Sequence, residues 1–208
     1  MIQGLYAITP SGLEENDLLT KTEVLLKEGI KLIQYRDKIL DKKTLQEKAH
    51  ALLKLTKTYG AKLVINDHVE ICLEISADGF HLGLEDYSSE GNVDLLKKNK
   101  EFISKNLICG LSCKWNKELV VNPPENEIKW TYLAVGSFYP SNTKSTIPET
   151  NENVKRKFLS YTDKPLVAIG GINKKNIGEV RSLGYSCFAL SEALFENPQN
   201  VLNEYKRL

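Results

Sequence analysis

The chain has 208 residues, 26% charged and 41% hydrophobic, which is ordinary for a globular protein and long enough to bury a large core. Lysine and arginine number 28 against 27 acidic residues, and a net charge of +1 excludes a global electrostatic case for nucleic acid or a membrane surface. No apolar run approaches transmembrane length and no basic segment leads into a long apolar one at the N-terminus, so a cytoplasmic protein is expected.

Short strands rich in Val, Ile and Tyr alternate with helical stretches from end to end. Residues 5–9 read as a first strand, and 14–29 as a helix with Leu18, Val24 and Leu25 apolar and a stop at Lys27-Glu28-Gly29. Residues 32–37 form the second strand, after which Asp41 can cap a helix over 42–59 that closes with Gly60. A third strand, 62–66, is backed by a short helix over 69–75, and a fourth, 79–83, by a helix around 93–99. The fifth strand, 107–112, precedes the weakest helix, 117–129, which Pro123-Pro124 must break. Strands over 131–137, 166–170 and 186–191 follow, with helices over 151–160, 174–183 and 198–208. Cys72, Cys109, Cys113 and Cys187 form no C-x-x-C pair and sit among apolar neighbours, so buried thiols in a reducing compartment are expected rather than disulfides or zinc ligands.

Eight strand–helix units without a hairpin argue for a parallel sheet covered by helices, and the number favours a closed (β/α)₈ TIM barrel, α/β in class, as a single compact domain over residues 1–208. An open doubly wound sheet is the alternative, but Thr9-Pro10-Ser11-Gly12 after the first strand lacks its glycine-rich turn.

In such a barrel the chemistry gathers where the strands end. Gln34, Arg36 and Lys38 alternate, so on a continuous strand they share one face, and an amide with two cations suits a diphosphate. A solvated edge strand is the bland alternative. Strand three ends in Asn66-Asp67, strand four runs into Gly83-Leu84-Glu85-Asp86, and strand five ends at Ser112. Asp67 and Asp86 follow neighbouring strands and could share one Mg²⁺ with a substrate diphosphate. Against this, Asp67 could cap the helix that starts at Val69, and Asp86 could sit in a turn. Ser141, Thr143 and Lys144 offer two hydroxyls and a cation as an anion clamp, and the Gly170-Gly171 backbone with Ser191 suits a phosphate between strands seven and eight. His81 reads as a hydrogen-bonded core or pocket-wall residue; His68 and His50 belong to helices.

Together, Gln34-Tyr35-Arg36-Asp37-Lys38, Ile65-Asn66-Asp67, the run from Ala77 to Gly83 with Asp86, Gly110-Leu111-Ser112, the run from Phe138 to Lys144, and Ala168-Ile169-Gly170-Gly171-Ile172 resemble the thiamine phosphate synthase family along almost the whole chain. The resemblance implies a transferase of thiamine biosynthesis that joins a pyrimidine-methyl diphosphate to a thiazole phosphate, carboxylated or not, and releases diphosphate. It implies that Gln34, Arg36, Lys38, Asn66 and Lys144 hold the pyrimidine diphosphate and that Asp67 and Asp86 bind Mg²⁺. Ser112 would touch the pyrimidine, and Ser141, Thr143, Gly170, Gly171, Leu190 and Ser191 would take the thiazole phosphate. Arg36, Lys38, Lys144 and Ser112 would act in catalysis. Departures include Ser141 for Thr, Ser137 for Pro, His68 for Arg and Lys114 for His. A thiazole tautomerase on the same barrel, or a non-catalytic barrel that binds a thiazole or thiamine phosphate, is the alternative. The partners implied are these small molecules, without nucleic acid or membrane, and assembly into a homo-oligomer is left open.

Overall fold

A computed structural model describes residues 2–124, 128–141 and 147–208. Eight parallel strands close on themselves in chain order: β1 (Gly4–Ile8), β2 (Leu32–Tyr35), β3 (Lys62–Asn66), β4 (Gly79–Leu82), β5 (Ile108–Ser112), β6 (Tyr132–Val135), β7 (Leu166–Ile169) and β8 (Cys187–Leu190), with β8 pairing back to β1. The helices α1 (Glu15–Lys27), α2 (Lys42–Thr58) and α3 (Val69–Glu74) follow the first three strands. Between β4 and β5 lie α4 (Leu84–Tyr87), α5 (Glu90–Lys98) and α6 (Lys100–Asn106). Then come α7 (Lys117–Val121), α8 (Glu152–Phe158), α9 (Ile177–Ser182), α10 (Glu192–Glu196) and α11 (Pro198–Arg207). The expected (β/α)₈ barrel is present.

The period of two along each strand divides the apolar residues between two cores. Ala7, Ile33, Ile65, Phe80, Leu111, Leu133, Ala168 and Phe188 face outward and join the helices in the larger core. Tyr6, Ile8, Leu32, Val64, Tyr132, Ala134, Val167, Cys187 and Ala189 pack inside the barrel. On β2, β3, β4 and β5 the inward set turns polar, at Gln34, Asn66, His81 and Ser112, and in each strand this falls at the C-terminal end or one residue before it. That change from apolar filler to polar lining makes one mouth of the barrel a site. Asp41 caps α2 as expected, its carboxylate accepting from Thr44 N at 3.1 Å.

Several boundaries differ from the expectation. β2 stops at Tyr35, so Arg36 and Lys38 lie beyond the regular strand. Side-chain bonds replace the ladder there. Thr9 Oγ1 accepts from Arg36 N at 2.9 Å and donates to Arg36 O at 3.1 Å, while the Asp37 carboxylate accepts from Gly12 N at 2.9 Å and Ile39 N at 3.0 Å. Asp86 lies in the short helix α4 rather than in a loop, and the helical stretch before β5 continues through α6. The helix after β5 ends at Val121, short of the two prolines, and a further short helix, α10, precedes the expected C-terminal one. Among the described residues, no helix is long and apolar enough to cross a membrane. All four cysteines are buried free thiols.

Candidate active site

The polar ends of the strands surround a cavity of about 270 Å³. From β2 through β5 it is lined by Gln34, Arg36, Asn66, His81 and Ser112. From β6 through β8 it is lined by Ser141, Gly170, Gly171, Leu190 and Ser191. Nine of the residues singled out from the sequence as substrate-binding therefore meet at one cavity. Thr143 and Lys144 lie outside the described residues.

Lys38, Asp67 and Asp86 are not part of that lining and stand beside it. Lys38 Nζ pairs with Asp67 Oδ2 at 2.5 Å, and the carboxyl groups of Asp67 and Asp86 are within hydrogen-bonding reach of one another. Asp67 does not cap α3: the N-cap is His68, and it makes no side-chain capping bond. Its φ is +65°, in the left-handed region, and His68 N donates across it to Asn66 O at 2.9 Å. A residue other than glycine held there stores roughly 1–2 kcal/mol of strain, a mark of functional positions. Burial raises the Asp67 carboxyl, but the hydrogen bond and charge of Lys38, with the hydrogen bond to Asp86 and the nearby His81, together hold the acid below its ordinary value. Asp86 goes the other way, raised by burial and then by the charge of Asp67, with its carboxylate also accepting from Gly83 N at 3.2 Å.

This donor set fits a divalent cation. Two carboxylates converge, one of them paired with a lysine, and burial together with the charge of Asp67 pushes Asp86 upward. Among the described residues no group of three or more His, Cys, Asp or Glu side chains is placed to hold a metal. Two protein carboxylates with the remaining positions left to waters and phosphate oxygens is the pattern Mg²⁺ takes.

Two buried donors on residues that line the cavity have no hydrogen-bond partner, Arg36 Nε and Ser191 Oγ. An unpaired buried donor costs about 1–3 kcal/mol, so both are suited to an anionic ligand. Gly170 and Gly171 have φ of +101° and +66°. A Cβ at Gly170 would strike Ser137, and one at Gly171 would strike the carbonyl of Pro140, so only glycine lets the end of β7 pack under the loop after β6.

Sequence reasoning missed Asn92. Buried on α5, its side-chain amide donates to the backbone carbonyl of Asp86 at 2.7 Å and to that of Asp67 at 3.4 Å, tying the two acidic segments together. Nothing in a lone asparagine on a polar helix announces this. Ser11 was also missed; its hydroxyl accepts from Lys38 N at 3.3 Å and from Arg36 Nη1 at 3.5 Å.

A family model described as thiamine monophosphate synthase matches residues 5–194. The thiamine-phosphate synthase of Nitrosospira multiformis is 36% identical over 195 residues, covering 93% of this chain and 79% of that one. The thiamine-phosphate synthase of Dictyoglomus turgidum is 34% identical, over 88% of this chain and 78% of that one. Among solved structures, the thiamine phosphate pyrophosphorylase from Pyrococcus furiosus superposes with a TM-score of 0.77 at 27% identity, over 99% of this chain and 96% of that one.

Proposed function

The chain belongs to the thiamine monophosphate synthase family and is a transferase that forms thiamine phosphate, and from that premise we propose how its cavity serves two substrates. The arc from β2 to β5 takes a 4-amino-2-methylpyrimidine-5-ylmethyl diphosphate. Gln34, Asn66 and Ser112 meet the ring side, and Arg36 and Lys38 meet the diphosphate. The arc from β6 to β8 takes a thiazole phosphate, through Ser141, the Gly170-Gly171 backbone, Leu190 and Ser191. Thr143 and Lys144, outside the described residues, join the anion clamp on the family resemblance alone. Asp67 and Asp86 hold Mg²⁺, which when bound neutralises charge on the leaving diphosphate.

In this reading the bond from the pyrimidine methylene carbon to the diphosphate oxygen breaks early, and the aminopyrimidine ring stabilises the resulting cation. The thiazole nitrogen then supplies the electron pair for the new carbon–nitrogen bond, and diphosphate leaves with the pair of the old one. No strong general base is required. Catalysis comes from the cations of Arg36 and Lys38, joined by Lys144 as the family resemblance implies, acting on the departing charge, and from holding the two rings in line. The observation that carries the reading is the pair of buried, unpartnered donors, Arg36 Nε on one arc and Ser191 Oγ on the other, on residues that line a single cavity. One cavity with one anion receiver on each arc suits a reaction of two phosphorylated substrates better than a proton shift on one.

An end-point assay tests it. The purified protein is mixed with the pyrimidine diphosphate and the thiazole phosphate, with Mg²⁺ or with EDTA, and thiamine phosphate is read as fluorescent thiochrome. Product that depends on Mg²⁺ is expected. Undiminished product in EDTA would remove the metal from the reading. No product, with ligand binding still visible by thermal shift, would point to a tautomerase or to a barrel that only binds.

A further inference from the structure

Lys155 on α8 is only 3% exposed, although lysine is among the residue types least often placed inside a protein. Among the described residues it forms no ion pair. Its ammonium lies instead over two aromatic rings of the loop after β6, 5.4 Å from the centre of the Phe138 ring and 5.0 Å from that of Tyr139. A leucine would fill such a place without the cost of taking a charge out of water. The two ring faces are what compensates the ammonium there, and a cation–π contact is strongest when it is desolvated.

The backbone of Lys155 is anchored independently of this contact. Asn151 caps α8, accepting from Asn153 N at 2.9 Å and from Val154 N at 3.4 Å, and Tyr185 Oη donates to Lys155 O at 2.8 Å. The Tyr185 ring also meets the Phe138 ring edge-on at 5.0 Å. From that fixed base the lysine side chain reaches the loop, whose own side chains part to two sides. Ser137, Pro140 and Ser141 line the cavity, whereas Phe138 and Tyr139 pack with the outer core. Ser137 Oγ donates to Tyr139 O at 2.5 Å, and Trp115 Nε1 donates to Ser137 O at 2.9 Å, so the two sides are tied together. Gly171 is seated against the same residues, since a Cβ there would lie 2.8 Å from that of Tyr139. A shift of Phe138 and Tyr139 is therefore passed on to Ser141 and to the glycine backbone.

We propose that Lys155 is a positioning residue: its buried ammonium holds the faces of Phe138 and Tyr139 to α8, and thereby sets the place of Ser141 and the Gly170-Gly171 backbone at the cavity. Lys155 itself touches no substrate and is not part of the cavity lining. The inference rests on the reading above that the arc from β6 to β8 takes the thiazole phosphate. Loss of the ammonium therefore weakens the grip on one substrate and leaves the arc from β2 to β5 as it was. Small displacements of groups that hold a substrate are costly even when their origin lies outside the site.

The test measures KM for each substrate, with the other saturating, in the wild type, Lys155→Met and Lys155→Arg. Methionine keeps the length of the side chain and packs well on aromatic rings, so Lys155→Met is expected to fold. KM for the thiazole phosphate should rise by about tenfold, the scale of a desolvated cation–π contact, with KM for the pyrimidine diphosphate unchanged. Lys155→Arg keeps a cation over the rings and should bring the thiazole KM back to within about threefold of wild type. A residue that merely fills space would let methionine serve as well as arginine, and unchanged constants in Lys155→Met would overturn the proposal. So would an equal rise in both constants, which is the mark of general loosening. A rise in the pyrimidine KM alone would show instead that the arcs have been assigned to the wrong substrates. Should Lys155→Met prove too unstable to assay, Tyr139→Leu removes one of the two faces and is expected to raise the thiazole KM selectively; its failure to do so would equally sink the role of Lys155.

Discussion

Asp67 combines a left-handed backbone, partial burial and a second carboxylate at its side, and Lys38 is its ion-pair partner. Asn tolerates the left-handed conformation and keeps the shape, so Asp67→Asn is expected to fold normally. It should still lower the rate by orders of magnitude, with the Mg²⁺ dependence displaced to higher concentration. A near-wild-type rate at limiting Mg²⁺ would take Asp67 out of the metal site. Ser191 permits a cleaner separation of binding from stability, because its buried hydroxyl has no partner to lose. Ser191→Ala should leave the melting temperature in place, within about 0.5 kcal/mol of wild type. It should raise KM for the thiazole phosphate by roughly tenfold, the value of one hydrogen bond to a charged group. Steady-state kinetics and a thermal melt on the same preparation read both.

Among the elements, the end of β7 and the loop after β6 form a unit: Phe138 N donates to Ile169 O and Tyr139 N to Gly170 O, each at 3.0 Å. Glycine is required here for two separate reasons, conformation and space. Gly171→Ala meets both a φ of +66° and the Pro140 carbonyl, whereas Gly29→Ala meets only a φ of +92° with nothing within 4 Å. The first is expected to destabilise by more than about 2 kcal/mol and the second by only about 1 kcal/mol, as urea unfolding would show. Equal losses would mean that the loop yields to the added methyl group. α5 is tied to the site in the same fashion through Asn92, although its sequence reads as an ordinary solvated helix. Such ties depend on partners far along the chain, which is why the alternation of Gln34, Arg36 and Lys38 was legible while the bonds from Thr9 and Asp37 that interrupt it were not.

For the whole molecule, the four thiols report on the integrity of the barrel. Burial is the leading cause that pushes Cys72, Cys109, Cys113 and Cys187 from an ordinary 9.0 up to about 12. Native protein is therefore expected to react only slowly with an aromatic disulfide reagent, and denatured protein to react at all four cysteines. The sign for stability follows. Between about 9 and 12 the unfolded chain has released thiol protons that the native one keeps, so stability falls as pH rises through that window. A melting temperature that held constant over that alkaline range would contradict it.

The barrel was legible from end to end because its signals are local. A period of two with apolar inward and outward sets makes a buried parallel strand, turn formers and caps bound each helix, and eight repeats without a hairpin leave a closed parallel sheet. The polar strand ends were legible for the same reason, and nine of the residues expected to bind substrate line one cavity. What tertiary structure alone decided is how distant side chains pair. It set Lys38 against Asp67 and Asp67 against Asp86, and it placed Asn92 behind both. It also ran one hydrogen-bond chain from Gln34 through Tyr6 and Tyr132 to His81. These contacts join residues up to 126 positions apart, and neither periodicity nor composition encodes a distance of that kind. Closure of the sheet brings them together, because the inward side chains of strands far apart in the chain share one interior.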